Sequence, residues 1–199
     1  MKLLIATHNR GKLSEYAEIL EGLPFELVTL DDVGIADDVE ETGATLLENA
    51  RLKALTYARQ SGLRALADDS GLEVDALGGE PGVYSKRYAG ESKSDAERNA
   101  YVLEKMRGVP QAKRTARFRC AIVIADAQGQ TWTSEGTCDG EIAFEARGTN
   151  GFGYDPIFIV NEVGKHMAEL PNEVKNRVSH RGRAAIGARE NLERLAKIM

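Results

Sequence analysis

The feature that most constrains the fold of this chain is a pair of adjacent acids, Asp68 and Asp69, inside the run LADDSGLEVDALGG. The residues around the pair are apolar enough to predict half-buried strands on either side of an acidic corner. Two charges placed there carry a desolvation cost unless a cationic group meets them. Because adjacent side chains on a strand point to opposite faces, we expect the two aspartates to have different partners and different roles.

Short apolar runs alternate with helical periodicity in the first third of the chain. Strands are predicted over residues 2–7 and 25–30, with a helix over residues 11–23 between them. A longer helix is predicted from Thr45 to Gly62, because a threonine and a glutamate at its start can form a capping box and a glycine commonly ends a helix.

The remainder of the chain predicts a loop, a helix over residues 95–108, two paired strands and a terminal helix. The loop over residues 78–94 is rich in glycine and serine, and the strands over 114–126 and 131–144 carry β-branched residues around a turn. Strands and helices alternate early and strands pair directly later, which predicts an α/β fold with a mixed central sheet flanked by helices. The apolar stripe of the terminal helix is predicted to contain Ala185, Ala188, Leu192, Leu195 and Met199.

Charge and composition exclude several classes of protein. The net charge of −5 disfavours binding to nucleic-acid backbones or to anionic lipid, so an anion must be bound by a local group of residues. Cys120 and Cys138 are predicted to be buried reduced thiols rather than a disulfide or a metal site. The apolar run at the N-terminus is too short for a signal peptide, and no segment is long enough to cross a membrane. We therefore expect a cytoplasmic protein.

Two segments of the first third carry residues suited to phosphate and metal. In ATHNRGK a strand runs into a helix whose free N–H groups, with Lys12, suit a phosphate, although Asn9 could serve only as a helix cap and Lys12 only as a surface lysine. Glu40 and Glu41 could join Asp69 around Mg²⁺, which prefers one or two carboxylates, waters and phosphate oxygens. The alternative for either glutamate is a solvated acidic loop.

Two later segments suit a nucleobase or an anion. Phe152 stands between glycines in GTNGFGYDP, where its ring could stack on a base, or could simply be buried in a turn. The segment 173–184 is basic within an acidic chain, which indicates an anion or nucleobase site or, alternatively, the solvated flank of the terminal helix. Its basic residues are Lys175, Arg177, His180, Arg181 and Arg183.

The motifs, taken together, resemble the inosine triphosphate pyrophosphatase family, also called Ham1-like. The resemblance runs from residue 2 to about residue 190, with His8 and Asn150 standing where many relatives have glycine. The motifs that carry it, in order along the chain, are THNRGK, EETGATLLENARLKA, LADDSGLEVDALGGEPGVYSKRYAG, GTNGFGYDPIF and KNRVSHRGRA.

This resemblance implies Mg²⁺-dependent hydrolysis of ITP, dITP and XTP to the monophosphate and pyrophosphate. It also implies a homodimer and a single two-lobed domain over residues 1–199 with a substrate cleft between the lobes. Asp69 matches the general base and a metal ligand, and Glu40 or Glu41 matches the second metal position. The implied substrate-binding residues are Thr7, His8, Asn9, Arg10, Gly11, Lys12, Lys53, Asp68, Ser70, Phe152, Gly153, Tyr154, Asp155, Lys175, His180 and Arg181.

Base selection follows from hydrogen bonding in this interpretation. Donors from Ser179, His180 and Arg181 would suit the C6 oxygen of hypoxanthine or xanthine and would leave the amino group of adenine unpaired, a discrimination of roughly 10⁴-fold. Two other functions stay open from sequence: a Maf-like pyrophosphatase acting on pyrimidine triphosphates, and a nucleotide-binding protein without catalysis. Retention of Asp69 and Lys12 argues against the second.

Overall fold

The computed structural model describes residues 1–90 and 92–198 of the chain. Within that range the strands and α-helices are β1 Lys2–Ile5, α1 Arg10–Ile19, β2 Glu26–Thr29, α2 Leu46–Ser61, β3 Arg64–Val74, α3 Asp95–Lys105, β4 Thr115–Ala125, β5 Thr131–Ile142, β6 Phe158–Val160, β7 Lys165–His166, α4 Asn172–Val178 and α5 His180–Ile198. The strands form one sheet in the order β2-β1-β3-β4-β5-β6-β7. Strand β1 is parallel to β2 and β3, whereas β6 is antiparallel to β5 and β7. The predicted mixed α/β fold is therefore confirmed.

The chain divides into two compact units. The first contains Met1–Asp69, Cys120–Gly136 and the residues from Arg181 onward, and the second contains Ser70–Arg119 and Thr137–His180. Strands β3, β4 and β5 contribute residues to both units. Asp69 ends the first of the three segments that make up the first unit.

Strands of the first unit are buried on both faces. Leu3 and Leu66 belong to one apolar cluster with residues of α1 and α5, and Leu4, Ala65 and Ala67 belong to another cluster with residues of α2. Burial on both faces explains why β1 is a continuous apolar run rather than an alternating one. It also means that even and odd positions of β3 face different helices.

An apolar cluster lies within the second unit, and in it the rings of Phe118 and Phe158 lie 4.6 Å apart between centroids. Strand β6 approaches β5 closely at Gly140. A Cβ atom added there would lie 2.3 Å from the carbonyl oxygen of Ile159 and 2.4 Å from the Phe158 ring. Glycine is therefore required at this point of the sheet.

Several sequence predictions of local structure are confirmed. Helix α2 begins with the capping box of Thr45 and Glu48 and ends at Gly62, which adopts a left-handed conformation with φ of 70°. Cys120 and Cys138 are buried and form no disulfide in the described part of the chain. Among residues 1–90 and 92–198, no helix combines the length and the apolar character needed to cross a membrane.

Other local predictions need correction. Asp68 and Asp69 lie inside the uninterrupted strand β3 rather than at a corner, because both carboxylates have partners within the fold. The predicted loop over 78–94 contains a 3-10 helix from Gly82 to Arg87. The terminal helix begins at His180, so part of the basic segment forms its first turn. Met199, predicted in the apolar stripe, lies outside the described residues.

Candidate active site

Asp68 is buried on the face of β3 that meets α1 and α5. Its Oδ2 atom lies 3.0 Å from Nζ of Lys12 and 3.2 Å from Nη2 of Arg181. Nη1 of the same arginine donates to Oε2 of Glu15 at 2.6 Å. Asp68 is 2% exposed and Arg181 is 1% exposed, so these charges satisfy one another away from water. The cations predicted for the acidic pair are, on this face, Lys12 and Arg181.

The charge state of Asp68 follows from these contacts. Burial by itself raises the pKa of the carboxyl, but Lys12 and Arg181 outweigh burial and hold the pKa of Asp68 well below its ordinary value. Asp68 therefore stays ionised near neutral pH. A carboxylate this acidic is a poor proton acceptor, and its chemical contribution is to hold Lys12 in place.

Asp69 points to the opposite face of β3, toward α2. Its Oδ2 atom accepts a hydrogen bond from Nδ2 of Asn49 at 3.1 Å, and its Oδ1 atom lies 3.7 Å from Nζ of Lys53. The same ammonium group is 2.6 Å from Oε1 of Glu41. Asn49 and Lys53 are four residues apart on α2, which places both on one side of the helix. Two carboxylates thus share one lysine here.

The pKa of Asp69 is shifted in the opposite direction from the pKa of Asp68. Burial raises the pKa of Asp69; the ammonium of Lys53 opposes this, and the carboxylate of Glu41 reinforces it. Burial lowers the pKa of Lys53, but Asp69 and Glu41 together raise it above the ordinary value. Asp69 therefore holds a proton more readily than Asp68 does, which is the direction expected of a general base.

At the N-terminus of α1, Asn9 has the predicted role of helix cap, but Lys12 does not have the surface position of the alternative interpretation. Asn9 is the helix cap, and its side chain accepts a hydrogen bond from the backbone N–H of Lys12 at 3.1 Å. Lys12 is not a surface lysine, because its side chain is 13% exposed and its ammonium reaches Asp68. His8 and Arg10 are exposed, and Thr7 accepts from the N–H of Asn9. A helix N-terminus with a fixed ammonium beside it suits a phosphate group.

The residues around Asp69 fit a divalent cation. Asp69 and Glu41 supply hard carboxylate oxygens near the ammonium of Lys53, and Glu40, which is exposed, precedes Glu41 in the sequence. Over the described part of the chain, no three histidine, cysteine or acidic side chains form a metal-binding group by themselves. Mg²⁺ needs no such group, since one or two carboxylates, several waters and substrate phosphates complete its shell.

In the second unit, Lys175 and Asp155 form a buried ion pair. Nζ of Lys175 is 2.6 Å from Oδ2 of Asp155 and 4.8 Å from the centre of the Phe152 ring. The N–H of Phe152 donates to the same carboxylate oxygen at 2.9 Å. A Cβ atom at Gly151 would lie 2.0 Å from that oxygen, so only glycine fits. The Phe152 ring, the Asp155 carboxylate and the Lys175 ammonium are therefore held close together by their mutual contacts.

The other predicted residues of the second unit lie in defined surroundings. Ser70 is half-buried in β3, and the hydroxyl of Tyr154 donates to the carbonyl oxygen of Ser85 at 2.8 Å. The His180 ring stacks on Phe118 with centroids 4.6 Å apart. A solvated flank is the correct description for Arg177, which is exposed, but not for buried Lys175 or His180.

Some contributors were not predicted from sequence. Asn49 orients Asp69, and Glu15 pairs with Arg181. A signal for Asn49 was present, because a polar amide stands one turn before Lys53 within the buried side of α2. Glu15 carried no comparable signal, since an acid three residues after Lys12 reads as an ordinary helical ion pair.

The chain is similar to known proteins over most of its length. Residues 3–190 match the model of the Ham1 family. The chain belongs to the Ham1 family. Curated relatives named dITP/XTP pyrophosphatase include one from Geobacter sulfurreducens, 53% identical over 96% of both chains, and one from Bacillus subtilis, 47% identical over 98% of this chain and 96% of that protein. The solved Ham1 protein of Staphylococcus aureus superposes with a TM-score of 0.86 at 41% identity, covering 97% of this chain and 98% of the other.

Proposed function

We propose that this chain hydrolyses ITP, dITP and XTP to the nucleoside monophosphate and pyrophosphate in the presence of Mg²⁺. The observation that carries the proposal is that the two aspartates of β3 have different partners. Asp68 pairs with Lys12, whereas Asp69, whose pKa is raised, lies near Lys53. Support also comes from Ham1 relatives named for the pyrophosphatase reaction on dITP and XTP. Cleavage between the α- and β-phosphates needs a base for the attacking water and cations for the developing charge.

In this proposal Asp69 takes the proton of the attacking water. Lys12 and Lys53 place positive charge along the triphosphate, and the N-terminus of α1 receives a phosphate group. Asp69 and either Glu40 or Glu41 would hold the divalent cation, which supplies charge to the phosphate oxygens when bound. The variants Glu40→Gln and Glu41→Gln show which glutamate binds the cation. The variant that has lost the ligand should need a higher Mg²⁺ concentration for half-maximal rate.

Residues of the second unit bind the base in this proposal. Phe152 supplies a stacking face, and Ser70, Tyr154, Asp155, Lys175 and His180 supply polar contacts. Arg181 was predicted to donate to the C6 oxygen, which stays a prediction; its Nε, Nη1 and Nη2 atoms donate to Asp68 and Glu15 in the structure. These bonds give the guanidinium a second role, which is to anchor Asp68.

Assembly and location follow the family resemblance. We expect a homodimer in the cytoplasm, without nucleic acid or membrane as partners. Buried cysteines outside any disulfide are consistent with the cytoplasm, and the net charge of −5 disfavours nucleic acid and anionic lipid as partners. Light scattering of the purified protein at several concentrations measures the assembly directly.

The deciding experiment is pyrophosphate release from ITP, dITP, XTP, GTP, ATP, dTTP and UTP, with Mg²⁺ or with excess EDTA. The proposal expects turnover of the first three with Mg²⁺ and none in EDTA. Preference for dTTP or UTP would favour the pyrimidine-specific alternative. Binding of ITP without turnover would favour a nucleotide-binding protein, and Asp69→Asn provides the matched inactive control.

A further inference from the structure

The loop that carries Phe152 contains two glycines in left-handed conformations. Gly151 has φ of 73° and Gly153 has φ of 63°. Glycine visits such conformations easily, but it also has the largest conformational freedom to lose on ordering. A ring that must meet a base in one orientation therefore needs its backbone held from outside the loop.

Helix α3 provides that hold through two side chains on one turn. Oδ2 of Asp95 accepts a hydrogen bond from the N–H of Gly153 at 2.7 Å, and Nδ2 of Asn99 donates to the carbonyl oxygen of Gly153 at 3.1 Å. Asn99 is only 5% exposed. Both bonds end on the same residue, one on each side of its Cα atom.

These bonds fix consecutive peptide groups. The Asp155 carboxylate holds the N–H of Phe152, Asp95 holds the peptide between Phe152 and Gly153, and Asn99 holds the next peptide. The peptides on both sides of Phe152 are thereby oriented, and with them the direction of the ring. Arg98, which pairs with the other oxygen of Asp95, keeps that carboxylate turned toward the loop.

We propose that Asp95 and Asn99 are positioning residues for base binding: they act through Gly153 to hold Phe152 in the orientation that stacks on a purine. This inference rests on the proposed function, since it assigns the Phe152 loop to the base. It predicts that loss of either side chain weakens binding of the base while the chemistry at the phosphates continues.

The test compares Asp95→Ala, Asp95→Asn and Asn99→Leu with wild type. Asp95→Ala is expected to raise KM for ITP roughly tenfold, the scale for one hydrogen bond to a charged group, with kcat changed less than twofold. Asp95→Asn retains an acceptor oxygen and should recover most of the loss. The Ki for inorganic tripolyphosphate, which has no base, should stay unchanged. Amide hydrogen exchange over residues 148–158 should be faster in Asp95→Ala.

Glu97→Gln is the matched control, because Glu97 belongs to the capping box of the same helix and bonds to Ser94 and Lys93 rather than to the loop. If Asp95→Ala and Glu97→Gln raise KM for ITP and Ki for tripolyphosphate by similar factors, Asp95 has only a structural role in α3 and the proposal is overturned. Unchanged KM with faster exchange overturns it as well. If wild type releases no pyrophosphate from ITP, the proposed function fails instead, and the exchange measurement still decides whether Asp95 holds the loop.

Discussion

Asp68 and Asp69 are neighbours in β3, and the pleat of the strand sends their carboxylates to opposite faces. Asp68 meets two cationic side chains in a nearly dry environment and is held ionised. Asp69 meets an amide and a lysine that it shares with Glu41, and its pKa is raised. The same residue type therefore serves as an anchor at one position and is suited to proton transfer at the next.

Asp69→Asn is expected to lower kcat by about 10²–10⁴-fold while the melting temperature stays near that of wild type. An amide cannot take the proton of water, but it has the shape of the carboxylate and can still bond to the side chains around it. Steady-state kinetics and thermal unfolding of the purified variant check this. Near wild-type turnover in a folded variant would remove Asp69 from the chemistry.

Phe152→Ala is expected to lower kcat/KM for ITP and ATP by the same factor. Stacking is worth about 1–3 kcal/mol per base and tolerates every base, so its loss reduces affinity without changing preference. Parallel assays with ITP, XTP, GTP and ATP measure the ratios. A change in the ITP to ATP ratio would assign base selection to the ring itself.

Helix α2 delivers two side chains to Asp69 from a single face. Ala50, Ala54 and Ala58 bury that side of the helix against the sheet, and small residues let its backbone come close. Asn49 and Lys53 follow the same spacing at the edge of the apolar stripe. The capping box at the start of α2 fixes where the helix begins, and therefore which residues face β3.

Thr45→Ala is expected to lower the free energy of unfolding by about 1 kcal/mol, because the N–H of Glu48 loses its acceptor at the helix start. Urea titration of Thr45→Ala, Glu48→Ala and the double variant measures the coupling between the two capping hydrogen bonds. We expect the double variant to lose less than the sum of the single losses, since each bond supports the other. Strict additivity would show that the two caps act independently.

At the scale of the whole molecule, the buried charges make stability depend on pH. The folded-state pKa of Asp68 is lowered, so its contribution to stability is fully present above the ordinary aspartate pKa of 3.8 and is lost as pH falls from there through the folded-state pKa. The pKa of Asp69 is raised in the folded state, so ionisation of Asp69 as pH rises lowers the free energy of unfolding. Acid should therefore remove the stability that ionised Asp68 provides. It should also remove part of the cost of burying the ionised form of Asp69.

We expect the free energy of unfolding of the metal-free protein to fall between pH 5 and pH 3. The Asp68→Asn variant should be less stable by about 3–5 kcal/mol at pH 7, because Lys12 and Arg181 lose a buried counter-charge. It should also show a shallower fall with acid than wild type does. Denaturant titrations at pH 7, 5, 4 and 3 measure both slopes, and equal slopes would show that Asp68 does not control acid stability.

Local patterns in the sequence predicted most of the helices and strands of this protein. The alternation in β3 separated Asp68 from Asp69, the Thr45 and Glu48 pair located the start of α2, and apolar runs predicted a mixed sheet. Such features depend on residues within a turn or two of each other, so they can be read from the chain directly. The ordered set of motifs further indicated the family, because it spans almost the whole chain.

The tertiary structure decided which charges meet. Arg181 reaches Asp68 across 113 positions of sequence, and Asp95 reaches Gly153 across 58. From sequence, the segment with Arg181 indicated an anion or nucleobase site or the solvated flank of the terminal helix, and only its burial against Asp68 makes Arg181 an anchor. Pairing over such distances depends on how β3, α3 and α5 pack, and packing is set by burial of the whole core rather than by any local pattern.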